Sequence, residues 1–285
     1  MTELNVINLE SILSAIPEIL PSLHRGTPTY ALLDKVAHDA VGKSGFADDG
    51  SDRLGEIGSI TLPFREMGAI TTLDLSGLDE LILFSWYWAN KGRYQRVADL
   101  GANVGLHSIV MSKIGWAVDS YEADPQIAEV LRANLELNNV GSVQVHNVAV
   151  SDAAGQSEFV RVLGNLTGSH LAGDKNSPYG QLERFVVPTV GIGSIMARAE
   201  FIKMDVEGSE ARIVEATTHD DWNGTDVVLE IGIEDNAARI FAHLSRLGVR
   251  MFSQKNSWAK VETFDQLPFH HTQGLVFCSA NSLPF

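Results

Sequence analysis

Val97-Ala-Asp-Leu-Gly-Ala-Asn-Val-Gly-Leu-His-Ser108 is the stretch that decides the fold. Val97–Leu100 is a short apolar run of the kind that forms a strand buried on both faces. Gly101 and Gly105 supply a turn, and Asn103–Ile114 reads as the helix that follows. The same alternation continues downstream. Ala117–Tyr121, Val143–Val148, Phe201–Met204, Val227–Ile231 and Leu275–Cys278 read as strands, with helices over Pro125–Asn139, Ser209–Thr217 and Asn236–Leu247. Strands separated by helices of this length predict βαβ units and an α/β, doubly wound, mostly parallel sheet with helices on both faces. Such sheets bind ligands outside the carboxyl ends of their strands.

Outside this core the pattern changes. Residues 1–76 read as an N-terminal cap on a domain spanning 77–285. Leu4, Ile7, Ile12, Ile16, Ile19, Leu20 and Leu23 have helical spacing, interrupted by Pro17 and Pro21, and a second helix is expected over 28–41. Ile57–Pro63 and Ala69–Leu75 read as the two arms of a β-hairpin around Arg65–Gly68. Leu78–Asn90 reads as an apolar helix capped by Ser76 or Asp79. At about 156–190 the strand–helix alternation breaks, which predicts an insertion of extended pieces over one edge of the site.

Composition narrows the function. The 285 residues carry 21 Lys+Arg against 36 Asp+Glu, a formal net charge of −15. Affinity for nucleic acid rests largely on cations meeting phosphates, so neither a polynucleotide nor an anionic membrane is the expected partner. A small molecule is. No apolar run approaches the ~18 residues of a membrane span, and the N-terminal MTELNVINLE lacks the basic start of a secretory signal. The single cysteine, Cys278, excludes an intrachain disulfide and fits a reducing, cytoplasmic setting.

The glycine turn carries the chemistry. Gly101 and Gly105 let backbone approach a ligand beside the free amides of a helix start. Asp99 ends the first strand, where its carboxylate orients the loop or reaches a ligand ammonium. Counting from Gly101, Asn103 and Leu106 stand where a dinucleotide fingerprint needs glycine. That disfavours a nicotinamide-dependent oxidoreductase, the first competing reading. Glu122 ends the second strand, where a carboxylate accepts from both hydroxyls of a ribose.

The set DLGANVGLHS, YEADP, NVAVSD, FIKMDVEGSE and VVLEIG, over roughly residues 77–232, resembles the FkbM-type methyltransferases, class I enzymes dependent on S-adenosyl-L-methionine. The resemblance implies a Rossmann-like seven-stranded sheet whose last strand is antiparallel. It implies O-methylation of small hydroxylated metabolites or glycan sugars. It places Asp99, Gly101, Asn103 and Gly105 in the cofactor loop, Glu122 at the ribose, and Asn147 and Val148 beside the adenine. The chain departs from the family at Ile192-Gly193, where a Leu-Asp pair is usual.

Three residues stand as catalytic candidates. Asp205 emerges at the carboxyl end of the Phe201–Met204 strand. His170 lies in the insertion, and His107 lies in the first turn of the helix after the glycine loop. Lys203 inside a strand needs a partner, expected among Asp205, Glu207 and Glu230. A structural ion-pair network competes with an acidic acceptor rim as the reading of these residues. No metal is expected, with a divalent ion held by Asp205, Glu207 and Glu230 as the competing reading: His270 and His271 are adjacent, so on extended chain they point apart, and no HxH or HxxxH spacing accompanies them. The expected activity is methyl transfer to a hydroxyl of a small sugar, a glycan or a sugar-bearing secondary metabolite. A non-catalytic S-adenosylmethionine-binding module is the second competitor, and a homo-oligomer stays open.

Overall fold

The computed structural model describes residues 9–44, 51–67, 71–75, 77–163, 165–175 and 180–281. Its centre is a seven-stranded sheet of β1 (Arg96–Leu100), β2 (Ala117–Tyr121), β3 (Val143–His146), β4 (Phe201–Met204), β5 (Asp226–Glu230), β6 (Arg250–Ser253) and β7 (Leu275–Ser279). The strand order is β6-β7-β5-β4-β1-β2-β3. All pairings are parallel except those of β7, which runs antiparallel to both β5 and β6. The chain winds outward from β1 to β3 and then returns to β4 on the other side of β1. This reversal is the topological switch point where such sheets open a crevice.

Register explains why charged residues survive in the middle of this sheet. Asp99 on β1 pairs with Lys203 on β4 and with Ser120 on β2. The three groups therefore stand side by side in three adjacent strands.

Both faces of the sheet are covered. One core joins α1 (Leu9–Ile19), α3 (Leu78–Ala89), α4 (Leu106–Lys113) and α5 (Pro125–Leu137) to strand residues such as Val97, Val118 and Phe201. The other joins α6 (Ile192–Met196), α7 (Glu210–Glu215) and α8 (Glu234–Leu247) to Ala98, Ile202 and Leu229. The helix α3 is apolar nearly all round because it is buried nearly all round. Its Trp86 ring lies 4.9 Å from Phe201 and 5.0 Å from Phe277.

The N-terminal segment is tied to the sheet by Asp79, in the first turn of α3. Tyr30 Oη donates to Asp79 Oδ1 at 2.8 Å, and Gln254 Nε2 donates to the same oxygen at 2.7 Å. Arg25 donates from both Nε and Nη2 to Oδ2. Tyr30 belongs to α2 (Pro28–Ser44), and Gln254 follows β6. One carboxylate thus joins three parts of the chain. This occupies Asp79 fully, so it does not cap α3; Gly77 takes the N-cap position with no side-chain bond, and Ser76 lies outside the described residues.

The expected hairpin is different from the one observed. Ser59–Thr61 is a strand, but it pairs antiparallel with Ser51–Arg53. The expected second arm forms a 3-10 turn over Thr72–Leu75, held by Asp74 accepting from Thr71 N at 2.7 Å. Among the described residues one bridge, between Glu66 and Thr71, joins the expected turn to that arm. Residues 68–70 of the expected turn and arm, with Leu4 and Ile7, lie outside the described residues. The insertion is a second sheet of four strands, 149–151, 182–191, 155–162 and 170–171 in that order. The β6 strand was not read from sequence. Its four residues start with an exposed Arg250 and offer little alternation.

Asp79→Ala leaves Tyr30 Oη, Gln254 and the Arg25 guanidinium without their shared acceptor. Breaking a buried charge cluster of this kind costs about 3–5 kcal/mol. Urea denaturation is expected to show a loss of that order, with the transition midpoint shifted and the slope unchanged.

Candidate functional site

A cavity of about 390 Å³ opens at the carboxyl ends of β1, β2, β4 and β5. That volume lies within the range of small-molecule sites. Its lining changes along the strand order. Toward β2 and β3 the wall is apolar, from Ala123, Ile127, Val148, Phe159 and Leu171. At β1 it is the turn Gly101–Asn103. Toward β4 and β5 it is charged, from Lys203, Asp205, Glu207 and Glu230, with Arg25 and Glu80 from the N-terminal side. A side cavity of about 70 Å³ shares Arg25, Glu80, His107, Lys203, Asp205 and Glu230 and has a floor of Leu83, Val228 and Leu229.

The glycine turn is shaped by its neighbours more than by open space. Gly101 has φ +77, and a Cβ there would stand 1.8 Å from the backbone oxygen of Asp205. Gly105 has φ +95, and its Cβ would stand 2.3 Å from Leu131 Cδ1. Both positions need glycine on two counts, backbone conformation and closeness. Asn103 also takes a left-handed φ of 49, which the short amide side chain tolerates. The amides of Gly101 and Ala102 both donate to Tyr121 O at 3.0 Å, which fastens the turn to the end of β2. This tight path delays the helix, so α4 starts at Leu106 and not at Asn103.

Glu122 stands between the turn and the next helix. Its Oε2 accepts from Asn103 N at 2.9 Å and its Oε1 from Asp124 N at 2.8 Å. Each oxygen keeps a second lone pair. Burial pushes its pKa up to about 7, although the two backbone bonds pull it down. Asp124 caps α5 by accepting from Gln126 N at 2.8 Å, and its carboxylate takes both Nε and Nη2 of Arg161 from the insertion.

Asp99 is fully buried and lies beneath the cavity. It accepts from Ser108 Oγ at 2.6 Å, and its Oδ1 is 3.8 Å from Lys203 Nζ. Burial raises its pKa, opposed by Lys203 and Ser108. Lys203 also donates to Asp205 Oδ2 at 3.3 Å. Burial works against the Lys203 ammonium, but Asp205 and Asp99 outweigh it and the pKa is raised. The lysine therefore pairs with Asp205, as expected, and with Asp99, which the reading of its strand alone did not identify.

Around this lysine the acids are crowded. Burial, then Asp79, pushes Glu80 up to about 8. Burial, then Asp205, pushes Glu207 up to about 7 and holds Glu230 well above the usual carboxylate range. Glu207 is held by Lys175 of the insertion at 2.6 Å and has a left-handed φ of 57. Among the described residues no three His, Cys, Asp or Glu side chains converge as a metal-holding group.

The two histidines line the same cavity. His170 is buried, and its Nδ1 is 2.9 Å from Gly168 O, a contact that requires Nδ1–H as the donor. Burial lowers its pKa. His107 Nδ1 is 3.1 Å from Tyr87 Oη, and its ring stacks edge-on against Phe84 at 5.2 Å. Burial, then Lys203, holds it well below the usual imidazole range.

Of the residues read from sequence, Gly101, Asn103, Glu122, Val148, Asp205, His170 and His107 line one cavity. Gly105 and Asp99 shape it from below. Asn147 stands behind that wall, next to Val148. Its side-chain amide donates to Glu122 O at 2.8 Å and Ala123 O at 3.1 Å, so it braces the loop that carries Glu122. Arg25, Glu80, Thr167 and Ser169 also reach the cavity, and sequence reasoning did not assign Arg25, Glu80 or Thr167 to it.

The cofactor implied by the resemblance can be tested against this lining. S-adenosylmethionine presents an adenine, a ribose diol, a sulfonium and an amino acid in linear order. The cavity presents an apolar wall, a carboxylate with two open lone pairs, a glycine turn and a charged end in the same order along the sheet. The chain's residues fit the group.

The family model for the methyltransferase FkbM domain matches residues 99–251, more than half of the chain. A comparison with curated proteins finds no match. Among solved structures, the precorrin-6y C5,15-methyltransferase of Geobacter metallireducens is 15% identical, with 68% of this chain and 83% of that chain covered and a TM-score of 0.35. An O-methyltransferase of Bacillus cereus in complex with SAH is 10% identical, with 69% and 77% covered and a TM-score of 0.37. The structural likenesses are too distant to add to the family match. With the glycine turn, Glu122 and the strand order in place, the chain belongs to the FkbM methyltransferase family and is an S-adenosylmethionine-dependent methyltransferase.

Proposed function

We propose that the protein methylates a hydroxyl oxygen of a small polyhydroxylated acceptor, a sugar, a glycan or a sugar-bearing metabolite. The observation that carries this reading is the polar rim of the cavity. Lys203, Asp205, Glu207 and Glu230 from the strand ends face it together with Thr167 and Ser169 from the insertion. Several hydroxyls desolvated at once each need a partner, and this rim offers both donors and acceptors.

When bound, the cofactor supplies an electrophilic methyl group on sulfur. The chain's own residues do the rest. Glu122 accepts from the ribose hydroxyls, and the apolar wall around Val148 and Phe159 takes the adenine. An alcohol is a weak nucleophile near neutral pH, so its proton must leave as the oxygen–carbon bond forms. Asp205 takes that proton in this reading. Lys203 holds the Asp205 carboxylate at 3.3 Å from below, and the Gly101 turn packs on the Asp205 backbone. His170 is the second candidate base. With Nδ1–H committed to Gly168 O, the neutral ring carries its lone pair on Nε2, and burial lowers its pKa. The remaining work is positioning of two reactants.

Two results test the parts of this reading. Glu122 is charged in the complex because only the carboxylate accepts from both ribose hydroxyls. Its pKa of about 7 in the free protein therefore links binding to protons. Affinity for S-adenosylhomocysteine is expected to fall as pH drops below about 7, approaching tenfold per unit, and calorimetry across pH 5.5–8.5 (a range set by the ~tenfold-per-unit linkage) reads it. Glu122→Gln is expected to flatten that dependence. Glu122→Ala is expected to weaken binding about 30- to 1,000-fold, the equivalent of ~2–4 kcal/mol.

The reaction itself is tested with isotope-labelled S-adenosylmethionine and a panel of sugar, polyketide and peptide acceptors, read by mass spectrometry for a product gaining CH2. Asp205→Asn is expected to lower turnover by about 10²–10⁴ with cofactor affinity little changed. A methyl group found on nitrogen, carbon or a carboxylate of the true product overturns the hydroxyl assignment. Normal turnover in Asp205→Asn with lowered stability leaves Asp205 as a member of an ion-pair network only.

A further inference from the structure

The insertion reaches the apolar half of the cavity as well as its polar rim. Phe159 and Arg161 lie two apart on the strand 155–162, so their side chains leave the same face. Phe159 lines the cavity wall, whereas Arg161 stays outside the lining and pairs with Asp124. Both members of that pair are buried. Arg161 Nε donates to Asp124 Oδ2 at 2.5 Å and Nη2 to Oδ1 at 2.6 Å, the two-pronged geometry that a guanidinium and a carboxylate share. The remaining Nη1 donates to Glu183, its register partner on the neighbouring strand, and the guanidinium lies 4.7 Å from the Phe185 ring. All three nitrogens are committed.

Asp124 is used three ways. Its Oδ1 caps α5, both its oxygens hold Arg161, and its backbone N–H donates to Glu122 Oε1. It therefore acts on Glu122 with two opposite signs. The N–H favours the charged form of Glu122, and the Asp124 carboxylate opposes it, adding to the larger effect of burial. Glu122 has no cation partner of its own among the described residues, so the group that answers the Asp124 charge matters to it.

We infer that Arg161 is a positioning residue for cofactor binding: through the Asp124 carboxylate it holds the Asp124 amide against Glu122 and offsets the charge that Asp124 turns on it. The inference rests on the reading of Glu122 as the ribose carboxylate and deepens it, because it makes the insertion part of the cofactor site. The other charges around Glu122 leave this role to Arg161. From β1 comes Asp99, which Lys203 on β4 already answers. From α4 comes His107, which burial holds neutral. Glu183 stands half in solvent on the far side of the guanidinium.

The experiment follows S-adenosylhomocysteine affinity against pH by calorimetry on the full chain, in two variants whose shifts have opposite signs. Arg161→Met leaves the Asp124 charge unanswered, so the pH below which affinity falls is expected to rise by about one unit. At pH near 7 that is about a fivefold weaker affinity, and the loss vanishes at high pH where Glu122 is ionised in both proteins. Asp124→Asn keeps the backbone N–H and a capping oxygen while removing the charge, so the same midpoint is expected to fall by about one unit. The double variant lacks both charges and is expected to return the midpoint to within about half a unit of the unaltered chain. A purely structural salt bridge would weaken binding alike at every pH in both single variants. Midpoints that stay in place, or that move in the same direction, overturn the proposal. Should Arg161→Met fail to fold, the direction of the Asp124→Asn shift decides. An unaltered chain that does not bind S-adenosylhomocysteine, or binds it with no dependence on pH, overturns the reading of Glu122 instead, and the two failures are distinct because the first requires a measured midpoint.

Discussion

The pairing of Asp99 with Lys203 across β1 and β4 is the constraint on which the site depends. The two residues are register partners at the switch point of the sheet, one fully buried and the other nearly so. Neither charge is tolerable there alone. Ser108 on α4 donates to Asp99, Ser120 on β2 shares a hydrogen bond with that hydroxyl at 2.7 Å, and Asp205 at the mouth takes the other side of the lysine. One chain of contacts thus runs from the first turn of α4, through the sheet, to the cavity. It fixes the glycine turn, the helix after it and the β4 end as one unit.

This unit has an electrostatic consequence. Six carboxylates, of Asp79, Glu80, Asp99, Asp205, Glu207 and Glu230, gather around the charged end, and the cations among them are Arg25, Lys175 and Lys203. Arg25 is committed to Asp79, Lys175 to Glu207, and Lys203 to Asp99 and Asp205. Glu80 and Glu230 are left to burial and mutual repulsion, which raise their pKa values. The end of the cavity is therefore poised to hold protons when free and to welcome positive charge. A sulfonium with an ammonium nearby supplies that charge, so the acids that look unfavourable in the free chain complement the family's cofactor.

What the sequence made legible follows the range of the interactions involved. The strands β1 and β4 were readable as short apolar runs and β2 from the strand–helix alternation, and Asp99, Glu122 and Asp205 were readable because each stands at or beside the end of such a strand. These are local facts. The Asp99–Lys203 contact depends on which strands are neighbours, and a run of four residues does not carry that. Asp79 and Glu80 open the helix Leu78–Ala89, where acids near an N-terminus are ordinary on dipole grounds, and this hid their roles. Their one available signal was two acids at the head of an otherwise apolar, aromatic helix. Arg25 gave no signal at all, since its link to the site runs through a partner 54 positions away. Asn147 was assigned by position after a strand. Its amide was needed more by the backbone carbonyls of Glu122 and Ala123 than by the cavity.

The glycine at 101 shows how tightly position and chemistry are joined. Its missing Cβ is required by the carbonyl of Asp205, which comes within 1.8 Å of where that atom would stand. The usual reason for a glycine in this turn is the approach of a ligand, yet here the protein's own backbone already fills the space. The closeness brings the loop that follows β1 against the residue that follows β4. Asp205 N donates to Leu100 O at 3.0 Å from the other direction, so the two strand ends are clasped by one hydrogen bond and one steric contact. Any ligand lying on the glycine turn is thereby held at a set height relative to the Asp205 side chain. In a reaction whose barrier is lowered chiefly by holding two reactants in line, that fixed height is a contribution of the backbone. It is made before either reactant arrives.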